Sequence, residues 1–238
     1  MFPEFSLVIP FYNEEKNVLR VCGELVRDFN AHGLKYEVIA VNNGSSDGTG
    51  TALASVLERY PGVFRLVNVP VNQGYGWGVL QGLKTASGTR VGYSVGDGQI
   101  SAADVLKAFD KASGEDLDFC QGTREARQDS LLRRLNTKIF NSLFRFLFPC
   151  GVTDVGSNPK IVRKSLYEKM GLSSRDWFID CEVISKSYLL GGRMGEVRVA
   201  SRKREIGKSH IRLFSAFEML KNLILWRCRA FFWAAGVK

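Results

Sequence analysis

Apolar and polar positions alternate in blocks along the first half of the chain. Phe5-Ser-Leu-Val-Ile-Pro10 is an apolar run of strand length. Val18, Leu19, Cys22, Leu25, Val26 and Phe29 then recur at helical spacing, with Asn13 placed as an N-cap and Glu14 and Glu15 in the first turn, where the helix dipole favours acids. Tyr36–Val41 reads as a second strand and ends in the turn-rich Asn42-Asn-Gly-Ser-Ser-Asp-Gly48. A helix carrying Ala52, Leu53, Val56 and Leu57 follows. Phe64–Val69 is a third strand, a glycine-rich helical segment covers residues 74–86, and Arg90–Val95 is a fourth strand. Strands separated by helices of this length predict an α/β fold with a mostly parallel sheet, whose ligands bind beyond the carboxyl ends of the strands. The polar loops at Asn13, Asn42–Asp47 and Gly96–Gln99 each follow such an end. They are expected to meet at one crevice.

The second half has a different texture. Leu132, Leu135, Ile139, Leu143 and Phe146–Leu147 form one face of a helix, and Arg134, Lys138, Asn141 and Arg145 another. A second helix runs from Leu213 to about Ala235 through Phe217, Leu220, Ile224, Cys228 and Phe231, with Trp226, Trp233, Lys221, Arg227 and Arg229 interspersed. Spacing alone favours helices that cover the sheet with solvated charges. Two basic, aromatic-rich helices in one short chain also suit a membrane interface. No internal repeat or linker interrupts the chain, so one domain over residues 1–212, followed by a basic helical segment at 213–238, is expected.

Composition narrows the partners. Of 238 residues 45% are apolar and the mean hydropathy is −0.08, which provides for a sizeable core. The net charge of +9 is unevenly placed: residues 1–120 carry 10 basic and 14 acidic side chains, residues 121–238 carry 23 and 10. An acidic first half joined to a basic second half suggests that the second meets an anion. Two histidines exclude a His-rich zinc site. Five scattered cysteines without C-x-x-C read as buried, reduced thiols of a cytoplasmic chain. The start, Met-Phe-Pro-Glu, has no signal-peptide character. The longest uninterrupted apolar run, Ala230–Val237, falls well short of the roughly 18 residues of a membrane span. A membrane association would therefore be peripheral.

Gly74-Tyr-Gly76-Trp-Gly78 is not a dinucleotide loop, because Val79 and Gln81 stand where the third glycine belongs. Close packing of a helix is the simpler account of these glycines. Asp97, in Val95-Gly-Asp-Gly-Gln99, follows an apolar strand and is flanked by glycines that admit a ligand. Its carboxylate suits a divalent ion bridging phosphates, and Gln99 offers a neutral oxygen. Taken alone, the same residues make an ordinary Asp-Gly turn. Asp154, in Thr153-Asp-Val-Gly-Ser-Asn-Pro, is likewise an acid in a turn.

In this order the motifs resemble family-2 glycosyltransferases of the GT-A fold, and among them the dolichyl- or polyprenyl-phosphate sugar synthases of mannosyl type. Val8-Ile-Pro-Phe-Tyr-Asn-Glu14 is similar to I-P-x-Y-N-E. Asn42–Thr49 follows D-D-G-S-x-D-G-T except at its first two positions. Asn72-Gln-Gly-Tyr-Gly76, then Gly82 and Ala86-Ser-Gly88, resembles N-x-G-x-G followed by G-x-x-x-A-x-G. Val95–Gln99 stands where D-x-D-x-Q is expected. Asp154, Ser157 and Arg163 resemble D-x-x-S-G-F-R, Gly195–Val199 the E-V-P-I strand, and Arg204–His210 the R-x-x-G-x-S-K motif. The likeness spans residues 5–212.

The resemblance implies a hexosyltransferase making an inverting transfer from a nucleotide diphospho-sugar, with residues 1–120 as the nucleotide-sugar half and 121–212 as the acceptor half. It assigns donor binding to Pro10, Tyr12, Glu14, Asn42, Gly96, Asp97, Arg124, Arg204 and His210. It assigns metal binding (Mg²⁺ or Mn²⁺) to Asp97 and Gln99, and catalysis to Asp97 and Asp154. Two departures bear on this: Val95 replaces the first acid of D-x-D, and Asn42 and Asn43 replace both acids of D-D-G-S. With one carboxylate gone, Arg124, Arg204 and His210 are expected to take more of the phosphate charge. The expected acceptor is a polyprenyl phosphate at an anionic, cytoplasmic membrane face, with no nucleic acid involved. A soluble transferase acting on a saccharide or small hydroxylated acceptor, and a non-catalytic nucleotide-sugar binder, are the alternatives.

Overall fold

A computed structural model describes residues 3–125, 131–200, 202 and 213–236. The elements run β1 (Phe5–Phe11), α1 (Glu15–His32), β2 (Tyr36–Asn43), α2 (Thr49–Arg59), β3 (Phe64–Val69), α3 (Tyr75–Leu83), β4 (Arg90–Tyr93), α4 (Ala102–Gly114) and β5 (Phe119–Arg124). There follow α5 (Leu131–Leu147), β6 (Lys160–Arg163), α6 (Lys164–Met170), α7 (Ile179–Leu189), β7 (Met194–Val199) and α8 (Leu213–Gly236).

One seven-stranded sheet unites both halves, in the order β3-β2-β1-β4-β6-β5-β7. The pairs β1–β2, β1–β4, β2–β3 and β5–β7 are parallel, whereas β6 runs antiparallel to both β4 and β5. Alternation along the strands sorts side chains to two faces. Phe5, Leu7, Ile9 and Phe11 of β1 join Val38 and Ala40 of β2 under α1, α2 and α4. Val8, Ile39 and Val41 face α3, α5 and α7. Helices on both faces explain why β1 and β2 read as nearly continuous apolar runs. At roughly 1.5–3 kcal/mol for each fully buried large side chain, these two layers supply most of the driving force for folding.

Several local expectations need correction. Asn13 does not cap α1; Glu14 occupies that position. Asn13 instead adopts a left-handed φ of 54°, and its Oδ1 accepts from the backbone of Ser46 at 2.8 Å, so its side chain is committed to the neighbouring loop. β4 ends at Tyr93 and α3 at Leu83, short of the predicted 95 and 86. The five thiols are free, but Cys228 is exposed and Cys150 half-buried rather than buried.

The glycines of α3 are packing devices, as expected. A Cβ on Gly82 would stand 2.3 Å from Val8 of β1, and one on Gly76 2.5 Å from the carbonyls of Ser174 and Asp176. On α5, Asn141 and Phe144 are buried while Leu135, Ile139 and Phe146 are exposed, so its predicted apolar face is only partly turned to the molecule. Among the described residues, no helix is long and apolar enough to cross a membrane.

Candidate functional site

Four loops gather at one edge of the sheet. The first two, after β1 and β2, are laced together. The hydroxyl of Thr49 accepts from the N–H of Glu14 at 2.9 Å, Ser45 accepts from the N–H of Asn13 at 3.1 Å, and Glu15 accepts from the N–H of Gly48 at 2.8 Å. Asp47 closes the turn by accepting from both the backbone and the hydroxyl of Thr49, at 3.0 and 2.5 Å. Partial burial pushes its carboxyl upward, but these hydrogen bonds and one from the Glu15 N–H outweigh it and hold Asp47 below the usual carboxylate range.

Pro10 lies at the end of β1 opposite Val41, and Asn42 at the end of β2. Asn42 accepts from the Ser45 N–H at 3.2 Å and reaches Asn68 of β3 at 3.4 Å. Tyr12, just after β1, is half-buried. Asn43 points to the α3 side, where its Nδ2 donates to the carbonyl of Gly74 at 3.0 Å. Glu14 is buried and accepts from Asn17 at 2.6 Å, and Asn17 in turn accepts from Arg20 at 3.0 Å.

That relay ends at the third loop. The guanidinium of Arg20 lies against Gly98, so close that a Cβ there would fall 2.0 Å from it. Gly98 has φ of 75°, conformation that glycine adopts without strain. The loop is tightened by the Gln99 N–H donating to Asp97 at 3.0 Å. Gln99 then pairs with Arg202 through backbone and side chain, at 2.8 and 3.3 Å, and Arg202 is anchored to Glu24 of α1 at 3.0 Å. Gly96 is buried against Phe11. Asn17 and Arg20 escape a reading of the sequence because a polar residue on a helix ordinarily faces solvent, and Arg202 because it stands outside any regular element.

The fourth element comes from the second half. Arg124, at the end of β5, grips Asp154 with two parallel bonds of 2.7 and 2.8 Å. This fork geometry is the strong form of a charge pair, and both partners are largely buried. Residues expected to serve separate substrates thus act on each other. Glu196 of β7 holds the Asp154 loop by accepting from the N–H and hydroxyl of Thr153, at 2.9 and 2.7 Å, and from Gln121 at 2.8 Å. Arg204 and His210 lie outside the described residues.

Beneath the loops sits a buried polar knot. Lys160, with no exposed surface, contacts Asp180 at 3.0 Å, and Tyr93 donates to the same carboxylate at 2.9 Å. Burial pushes the Tyr93 phenol well above its usual range, and the charge of Asp180 adds to the effect. Tyr75 stacks on Trp177, centroids 4.5 Å apart, fixing the loop before α7. Beyond that loop a cleft of about 580 Å³ opens toward α8, lined by Ser173, Arg175, Asp176, Trp226, Arg229 and Trp233 among others.

A divalent cation makes definite demands on this loop. Among the described residues no three Asp, Glu, His or Cys side chains gather as a metal cluster, and Val95 cannot ligate. Asp97 and Gln99 nonetheless carry hard oxygens two residues apart in one loop. That is the sparse set on which Mg²⁺ relies when substrate phosphates complete its shell. The residues fit an ion that assembles with a diphosphate, and not one held by protein alone.

Comparison with known proteins gives the family and the fold. The family model described as Glycosyl transferase family 2 matches residues 6–171. A dodecaprenyl-phosphate galacturonate synthase of Rhizobium johnstonii is 27% identical over 223 residues, which cover 93% of this chain and 65% of the relative. An undecaprenyl-phosphate 4-deoxy-4-formamido-L-arabinose transferase of Edwardsiella ictaluri is 27% identical over 222 residues, covering 92% and 66%. The chain therefore spans just under two thirds of these relatives' length. Glucosyl-3-phosphoglycerate synthase from Mycobacterium tuberculosis, solved with Mn²⁺, uridine diphosphate and glucosyl-3-phosphoglycerate, has the same fold. Its TM-score is 0.75 at 19% identity, over 95% of this chain and 80% of that one. A match running from β1 past α6, on a sheet with this strand order, places the chain in glycosyl transferase family 2, with its α/β GT-A fold.

Proposed function

We propose that the protein transfers a sugar from a nucleotide diphospho-sugar to a polyprenyl phosphate. The observation that carries this reading is the convergence of the 12–14, 42–49 and 95–99 loops with the Arg124–Asp154 pair at one sheet edge. The relatives that act on dodecaprenyl and undecaprenyl phosphates support the acceptor. Support for the donor comes from the mycobacterial synthase structures with uridine diphosphate and Mn²⁺ or Mg²⁺.

In this proposal Pro10, Tyr12, Glu14 and Asn42 hold the nucleoside. Asn42 recognises by hydrogen bonds that both donate and accept, without the charge of an acid. Gly96 lets the diphosphate approach the backbone, and Arg124, with Arg204 and His210, meets its charge. Asp97 and Gln99 would hold Mg²⁺ or Mn²⁺, whose chemistry is to neutralise charge on the departing diphosphate. A phosphate acceptor is already an anion at neutral pH and needs no strong base. Asp154, gripped at both oxygens, suits the task of holding Arg124 in place for the diphosphate.

The test is incubation of a nucleotide-sugar panel with undecaprenyl phosphate in detergent, with and without Mg²⁺ or Mn²⁺. A lipid-linked sugar phosphate is the expected product; no donor yielding one would overturn the proposal. A second reading rests on the same Asp154: if the acceptor is a hydroxyl, a carboxylate must take its proton. Asp154→Asn then abolishes transfer, whereas a phosphate acceptor predicts a loss of no more than about tenfold, well below the roughly 10²–10⁴ of a true base.

A further inference from the structure

Near their carboxyl ends, β2 and β3 carry a short relay of amides whose orientation is set from the backbone outward. Asn42 and Asn68 are opposite each other in the register of the two parallel strands. The backbone N–H of Ser45 donates to the Asn42 side chain at 3.2 Å. A backbone N–H only donates, so the atom facing it is Oδ1, and the amide nitrogen lies on the other side. That Nδ2 donates to Asn68 in a long contact of 3.4 Å, and by the same logic the atom receiving it is the Asn68 Oδ1. Each amide oxygen is thus engaged by a donor of the protein. What the pair offers a ligand is N–H.

Neighbouring side chains do not change that sign. Asn43 is buried on the opposite face of the strand, where it donates to the Gly74 carbonyl. The acids of these loops serve the loops themselves: Asp47 accepts from Thr49 and from the Glu15 N–H, Glu15 from the Gly48 N–H, and Glu14 from Asn17. A carboxylate at position 42, as in the D-D-G-S pattern, would accept from Ser45 with one oxygen and offer the other as a second acceptor. Asn42 offers a donor instead.

We propose that Asn42, seconded by Asn68, selects the base of the nucleotide donor, and that the base is cytosine. This selection rests on the donor reading above, which puts the nucleoside at Asn42. Cytosine and uracil have the same size, so shape does not separate them. Uracil carries a hydrogen on N3, and an amide N–H facing it is left without an acceptor. In cytosine N3 is itself an acceptor beside the acceptor O2, and the two amides of the relay meet both. A site that sets donor against donor rejects the wrong base, because the unmatched group has given up water and gained nothing.

The experiment is calorimetric titration of the full chain with CDP, UDP, GDP and ADP in the presence of Mn²⁺, repeated on Asn42→Asp and Asn68→Ala. The wild type should bind CDP at least about tenfold more tightly than UDP, the scale of one well-placed base contact. Asn42→Asp still accepts from the Ser45 N–H, so the thermal midpoint should hold. Its added charge opposes every diphosphate alike, which makes the ratio of CDP to UDP affinity the readout, and that ratio should invert. Asn68→Ala should weaken CDP and leave UDP nearly unchanged. UDP, GDP or ADP bound as tightly as CDP by the wild type, or a ratio that Asn42→Asp leaves as it was, overturns the proposal while the donor reading stands. Failure of all four nucleotides to bind overturns the donor reading, and the base selection with it.

Discussion

Arg124 and Asp154 show what single residues reveal and conceal. Asp154 stands in a motif and Arg124 among the residues the resemblance assigns to the donor, yet nothing in the sequence says that side chains thirty positions apart close a two-point bond. Arg124→Lys keeps the charge and loses the fork; transfer should fall at least tenfold in kcat, while the thermal midpoint moves little. Arg20 was not legible at all, because only the folded loop brings Gly98 against it. The cysteines were half-legible. Burial pushes the thiols of Cys22 and Cys120 up to about 12, and Cys181 is fully enclosed. A disulfide reagent at pH 8 should therefore modify Cys228 quickly and leave these three unreacted until denaturant is added. Fast reaction of more than Cys228 and Cys150 in the native chain would contradict the packing.

Elements were legible where their pattern was periodic. β1, β2, β3, α1 and α5 announce themselves through alternation or helical spacing, and the structure places them within a residue or two of expectation. α7 was silent because it has no polar face: every residue from Ile179 to Ser187 is buried, including the pair Glu182 and Lys186, 2.7 Å apart. Burial alone would raise the Glu182 carboxyl; the Lys186 ammonium and the N–H of Ser174 outweigh it and hold it below the usual 4.5. A depressed folded value means that this stabilisation is complete above 4.5 and lost as the pH falls below it. Urea midpoints between pH 6 and 3 should drop more steeply for the wild type than for Glu182→Gln. At pH 7 that variant, which strands a buried ammonium, should cost about 3–5 kcal/mol. On α3, Gly82→Ala forces a methyl onto Val8. It should cost about 1–3 kcal/mol, visible as a lower thermal midpoint, and Val8→Ala should restore part of the loss.

At the scale of the molecule, the unequal charge of the two halves maps onto a continuous sheet and not onto two bodies. β4 of the acidic half and β6 of the basic half are hydrogen-bonded neighbours. What the sequence could not convey was the reversal of β6, since four residues, Lys160–Arg163, carry no sign of direction. If the Asp97 loop assembles an ion with the diphosphate, a nucleoside diphosphate should raise the melting temperature more with Mn²⁺ than with a chelator. Asp97→Asn should erase that difference. Equal stabilisation under both conditions would remove the metal from the site.

The reversed strand has a further consequence for the chain as it is made. β1 to β4 complete their mutual pairing within the first 93 residues, but the partner for the other side of β4 follows only after 66 intervening residues. At roughly 5–20 residues per second, a ribosome leaves that edge of β4 unmated for about 3–13 seconds. During this interval the nascent chain displays an open row of backbone donors and acceptors, which makes the stretch from Ser94 to Pro159 the window in which a chaperone, or a neighbouring nascent chain, can intervene.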